Sequence, residues 1–182
     1  YHELSYEFSG EPAEVISYQS DSTIADDDPP VLAPRPEAGN LVKVEMLNVP
    51  WNPADVNTVQ GRYPSPYSTD EKPNPKSRYF DGHTGLGSEG WGKVASSSSN
   101  TLPEGTLVTV GKPGIGTLRS SLWVPESSLL RVPDELLDHL GPAGCTLFQL
   151  GGTALRMVTD FVSLQPGDLV LQNAGNSGVG LM

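Results

Sequence analysis

The chain has 182 residues of 36 % hydrophobic composition, enough to bury one core and the edge of a second. Its formal net charge of −11 argues against a phosphate-backbone partner, and no apolar run approaches the roughly 18 to 20 residues that a membrane-spanning helix requires. The acidity is uneven: residues 1–40 carry nine acids against Arg35 alone, a balance of −8, whereas the rest of the chain is nearly neutral.

Twenty Gly and 17 Pro spread along the chain predict short strands joined by turns, hence a β-rich first domain. Val15, Ile16 and Tyr18 suggest a short opening strand. Ser20 to Asn40, with Asp26-Asp27-Asp28-Pro29-Pro30, reads as a polar surface loop. Leu41-Val42-Lys43-Val44-Glu45-Met46 alternates and is expected to be a strand; after Asn48 to Asn57, a Pro-rich, charged loop runs from Tyr63 to Arg78. Further short strands are expected at Trp91 to Ser96, Leu107 to Val110, Trp123-Val124 and Leu129 to Val132, the spacing of a compact barrel or sandwich.

The pattern changes near residue 134, where Asp134 can cap a helix carrying Leu136, Leu137 and Leu140; a second helix fits Thr153 to Phe161. Gln165-Pro166-Gly167-Asp168 then turns into Leu169-Val170-Leu171-Gln172-Asn173, an apolar run that suits a buried strand and ends in Gly175-Asn176-Ser177-Gly178-Val179-Gly180. A strand followed by a glycine loop opens a dinucleotide-binding unit, because glycine lets the backbone approach a pyrophosphate and a following helix aims its first amides at the charge. The spacing here is not the G-x-G-x-x-G form. The residues also stop before that helix and before the side chain that selects NAD or NADP, so the segment alone is equally a glycine-rich turn with no ligand.

Cys145 is the one cysteine and has no internal disulfide partner; it suits a reducing compartment and reads most simply as a small buried side chain. His2, His83 and His139 show no metal-ligand spacing. Four of the 11 basic residues, Arg62, Lys72, Lys76 and Arg78, lie in or just after the Tyr63 loop, opposed by Asp70 and Glu71. They form either an ordinary solvated loop or a basic rim able to capture a phosphorylated or acidic partner. Residue 1 is Tyr, and no signal-peptide or transit pattern is visible.

Several segments in order are similar to the medium-chain dehydrogenase/reductase superfamily, and within it to the mitochondrial trans-2-enoyl-CoA (enoyl-[acyl-carrier-protein]) reductases. Phe8 to Val15 resembles the family's opening strand turn, and Asn52-Pro53-Ala54-Asp55-Val56-Asn57-Thr58-Val59-Gln60-Gly61-Arg62-Tyr63-Pro64 resembles its active-site segment. Gly87-Ser88-Glu89-Gly90 resembles the glycine-acid turn of the superfamily, Gly116-Thr117-Leu118-Arg119 its G-T-W-R stretch, and Asp160-Phe161 through Gly180 the approach to its cofactor domain. The resemblance implies an α/β protein with a GroES-like β-rich catalytic domain at 1–133, connecting helices at 134–164, and at 165–182 the first strand and glycine loop of a Rossmann doubly wound domain.

It further implies NADPH-dependent reduction of a trans-2-enoyl thioester of CoA or acyl carrier protein, a mitochondrial location, and often a homodimer. The family's catalytic tyrosine falls on Tyr63, and its phosphate loop on Asn176, Ser177, Gly178 and Val179. A phenol is protonated at neutral pH and can quench the enolate that hydride addition creates; without the family, Tyr63 reads as a packing or surface residue. Leu150, followed by Gly151 and Gly152, stands where these reductases often carry an Asn that touches the cofactor. Zinc enzymes of the superfamily need Cys and His where this chain has Asn52 and Ser88, and one Cys cannot build a four-Cys zinc site, so no metal is expected. The residues are expected to be the front portion of such a reductase, with little activity by themselves. The alternatives are a zinc-free quinone or enone reductase and a non-enzymatic GroES-like interaction module.

Overall fold

The computed structural model describes residues 2–6, 10–20, 40–63, 84–111 and 115–182. All strand pairing in it is antiparallel. The elements in order are β1 (His2–Tyr6), α1 (Pro12–Val15), β2 (Ile16–Ser20), β3 (Leu41–Asn48), α2 (Pro53–Val59), β4 (Thr84–Gly85), β5 (Trp91–Ser97), β6 (Leu107–Val110), β7 (Ser121–Pro125), β8 (Leu129–Arg131), α3 (Asp134–Leu140) and α4 (Gly152–Thr159).

The larger sheet has five strands in the order β7-β3-β5-β6-β8, and the smaller has three in the order β2-β1-β4. β-Branched residues at alternate positions explain the larger one, since they pack well on a pleated surface. Val42 stands opposite Val124 and Val44 opposite Leu122 across the β3–β7 ladder, while Val44 meets Val94 on the other side. These side chains join Val108, Val110, Leu102, Ile115 and Leu129 in the main core. The β3–β5 register shifts between Lys43 and Val44 and again between Met46 and Asn48, irregularities of the kind that bend a sheet toward closure.

Two smaller clusters flank that core. Val59 of α2 and Leu86 pack with Leu4, Val15, Ile16 and Leu118, which fastens α2 to the smaller sheet. Trp91, Val132 and Leu107 pack with Cys145 of the turn that follows α3. The backbone ties the sheets together: the Leu4 amide donates to Leu118 O at 2.9 Å, the Leu118 amide to Leu86 O at 2.8 Å, and the Ser120 amide to His2 O at 2.8 Å.

The expected strands at 41–46, 91–96, 107–110, 123–124 and 129–132 all form, as do helices at 134 and 153. The buried strand expected at Leu169 to Asn173 does not. Leu169 is 96 % and Leu171 95 % exposed, and no ladder reaches them. A strand is held by hydrogen bonds to a neighbour, and no edge among the described residues faces this run, so its apolar character cannot be turned into burial. No helix among the described residues is long and apolar enough to cross a membrane.

Candidate active site

The N-P-A-D sequence at 52–55 starts α2 with a residue type suited to capping and a proline at the first helical position, which lacks only an amide that would be unsatisfied there anyway. The Asn52 amide donates to Asp55 Oδ2 at 2.8 Å, so the acid three residues on closes the helix start. Asp55 is buried, and Ser88 Oγ donates to its Oδ1 at 3.4 Å.

Glu89, wholly buried, lies beside this helix start. Its Oε1 accepts from Asn52 Nδ2 at 2.8 Å and its Oε2 from the Gln149 backbone amide at 2.8 Å. Its own carbonyl accepts from Thr117 Oγ1 at 2.7 Å. Burial pushes both carboxyls above the usual carboxylate range; for Glu89 the neighbouring charge of Asp55 adds to the rise, and the hydrogen bonds of each group oppose it. The turn that delivers Glu89 depends on Gly87, whose φ is +95° and where a Cβ would lie 2.4 Å from Thr117 Oγ1.

At the other end of α2 the chain doubles back. Gly61 has φ +71°, and the amides of Arg62 and Tyr63 both donate to Asn57 O, at 2.8 and 3.3 Å. The amide of Gly10 donates to Val59 O at 2.9 Å, and Gln60 Nε2 donates to the Glu11 carboxylate at 3.4 and 3.5 Å. α2 is thus pinned at both ends, and Tyr63 emerges just beyond it with 51 % exposure.

The glycine loop lies against a different element. A π-helical turn, Leu147–Gly151, precedes α4, and a Cβ on Gly178 would fall 2.7 Å from Leu150 Cδ1. A Cβ on Gly180 would fall 2.5 Å from Ala174 O, so the loop closes this tightly only with glycine. The Gly180 amide donates to Ser177 Oγ at 3.1 Å, and Gln172 Nε2 donates to Gly180 O at 3.0 Å. Asn176, Ser177 and Gly178 are exposed and Val179 half-buried, at the start of a short 3₁₀ turn, Val179–Leu181.

Of the residues singled out in the sequence, Asn176, Ser177, Gly178 and Val179 form one loop, while Tyr63 stands on the far end of α2. Among the described residues no hydrogen bond joins Tyr63 to that loop; the link between them runs through Asn52, Glu89, Gln149 and Leu150. Asn52 and Ser88 are engaged with the buried carboxylates. Of the basic cluster Arg62 is exposed, whereas Lys72, Lys76 and Arg78 lie outside the described residues. The sequence reading did not find the coupling of Asp55, Glu89 and Gln149. The signals for it were the capping spacing of Asn52 and Asp55 and an acid set between Ser88 and Gly90.

No family profile matches the chain. Curated mitochondrial enoyl-[acyl-carrier-protein] reductases do, among them those from Rattus norvegicus and Homo sapiens. Each of these two is 34 % identical over 97 % of this chain, which spans 41 % of the length of either. The solved Etr1p/Etr2p heterodimer of mitochondrial 2-enoyl thioester reductase from Candida tropicalis superposes with a TM-score of 0.75 at 30 % identity, over 98 % of this chain and 49 % of that one. A quinone oxidoreductase from Pseudomonas syringae pv. Tomato DC3000 shares the fold at a TM-score of 0.71 and 23 % identity, covering 98 % of this chain and 47 % of its own.

The fold described above is thus shared with the solved mitochondrial 2-enoyl thioester reductases. Over the length it spans, about two fifths to a half of these proteins, the chain is similar to the mitochondrial enoyl thioester reductases.

Proposed function

We propose that the protein takes part in NADPH-dependent reduction of trans-2-enoyl thioesters, carried by CoA or acyl carrier protein, to saturated acyl thioesters in mitochondrial fatty acid synthesis. The relatives support this reading: the rat and human proteins are named mitochondrial enoyl-[acyl-carrier-protein] reductases, and an Etr1p complex holds NADP and crotonyl-CoA. The observation that carries it is the exposed Tyr63, held by its backbone in the turn just beyond a helix pinned at both ends, because a proton donor must be accessible yet fixed.

The glycine loop fits a dinucleotide phosphate. Its backbone is bare of side chains at Gly175, Gly178 and Gly180, and Ser177, whose oxygen accepts from the Gly180 amide, keeps its hydroxyl proton for an incoming oxygen. Asn176, Ser177, Gly178 and Val179 would hold that phosphate. When bound, the dinucleotide supplies the hydride that reaches C3 of the enoyl group. Tyr63 then gives its phenolic proton to C2 as the enolate electron pair returns, and solvent at the exposed ring restores the proton. The division into a catalytic domain at 1–133, connecting helices at 134–164 and a nucleotide-binding start at 165–182 belongs to this reading, as does pairing with a second copy.

A zinc-free quinone or enone reductase shares the plan, and the fold of the Pseudomonas syringae protein suits it. Tyr63 with Gln60 and Gly61 favours the thioester. The test is Tyr63→Phe in the full natural-length polypeptide, with NADPH oxidation followed against crotonyl-CoA and against a quinone. A fall in kcat of about 100-fold or more on the thioester is expected, the size of a lost general acid. Undiminished thioester turnover, or a preference for the quinone, refutes the proposal.

A further inference from the structure

We propose that Glu89 is the positioning residue of this site, holding α2, and with it Tyr63, at a fixed spacing from the segment on which the glycine loop rests; the inference builds on the reductase reading above. Each carboxylate oxygen of this wholly buried side chain takes one donor, and the two donors belong to elements far apart in the chain: Asn52 at the head of α2 and Gln149 in the π turn. Both donors are neutral, a side-chain amide and a backbone amide. Burying an ion between neutral donors costs stability, and such a group earns its place by fixing geometry.

The reach is specific. Asp at 89 would fall a methylene short of one partner, and Gln would offer one acceptor where two donors converge. The Gln149 amide sits in a π turn, where the regular helical ladder is interrupted, and π turns cluster at functional sites. The next residue, Leu150, carries the contact with Gly178. On the other side α2 is seven residues long, about 10 Å at 1.5 Å per residue, and transmits any shift at Asn52 to the turn bearing Tyr63. One carboxylate therefore sets the distance between the proton donor and the nucleotide loop, and displacements near 1 Å at a reacting centre cost roughly 100-fold in rate.

The test is a cycle of E89Q, N52D and E89Q/N52D in the full-length protein, read by kcat with crotonyl-CoA and NADPH, together with hydrogen exchange at the Gln149 amide in wild type and E89A. E89Q sets amide against amide, N52D sets carboxylate against carboxylate, and the double variant restores the link with donor and acceptor exchanged while its oxygen still accepts from Gln149. Expected are losses of about 10- to 100-fold in kcat for each single variant, the scale of a misplaced reacting group, recovery to within a few-fold in the double, and faster Gln149 exchange in E89A. A generic packing role would not produce recovery by exchange of polarity. Single variants with wild-type kcat, a double variant no better than the singles, or Gln149 exchange unchanged in E89A would each overturn the inference. A wild-type protein inert on crotonyl-CoA would instead defeat the reductase reading, leaving the hydrogen-exchange arm to decide whether the link exists.

Discussion

Two apolar runs of similar composition end in opposite states. Val42 and Val44 of β3 are completely buried, whereas Leu169 and Leu171 stand almost wholly in solvent. β3 is laddered to β5 on one edge and β7 on the other, and its side chains meet Val94, Leu122 and Val124; the later run has neither ladder nor facing layer. Hydrophobicity alone does not make a strand, because every backbone amide and carbonyl taken from water needs a partner.

Substitutions put numbers on that contrast. Leu122→Ala, in the fully buried layer opposite Val44, should lower unfolding free energy by about 3 kcal/mol, within the usual 2–5 kcal/mol of such cavities; a loss in urea melts below a third of that would mean the core repacks freely. Gly92→Ala on β5 comes next, at about 1–3 kcal/mol, since its Cβ would lie 2.4 Å from Glu45 O and force the ladder apart. A thermal melt unchanged by that methyl would show a looser β3–β5 contact than the structure has.

The carboxylates give a smaller, pH-dependent effect. Asp55 and Glu89 have raised values in the folded state, so between the ordinary carboxylate range and those raised values the native protein binds more protons than the unfolded chain, and stability falls as pH climbs through that window. Below the window the penalty is absent, and above it the penalty is complete and constant. Asp55→Asn keeps an oxygen for the Asn52 amide and should flatten the slope measured by denaturant melts across mildly acid pH; an unaltered slope would place the protonation elsewhere. The smallest effect is predicted for Leu171→Ala, which should move stability by less than about 0.5 kcal/mol, as exposed sites do. A large loss there would mean that the run is covered in solution.

The strands of the larger sheet were legible because alternation at Leu41–Asn48 and Leu107–Val110 coincides with real ladders. β1 and β4 went unread: His2–Tyr6 mixes polar and apolar residues, and Thr84–Gly85 is only two residues long. The expected strand at 169–173 failed because pattern reports what a segment would bury and says nothing of whether a neighbour is there. At the site, family resemblance pointed to Tyr63 and the glycine loop, whose roles are those proposed above. The carboxylate link was not, because Asp and Glu read as surface residues until a tertiary contact 37 or 60 residues away gives each oxygen a donor.

Cys145, within the turn after α3, packs against Trp91 and Val132, and burial together with the charge of Glu89 pushes its thiol up. Only a thiolate is alkylated at useful speed, and this is the chain's single sulfhydryl. Its labelling rate by a maleimide is therefore a clock for how often that turn lifts from the larger sheet, readable without any engineered probe.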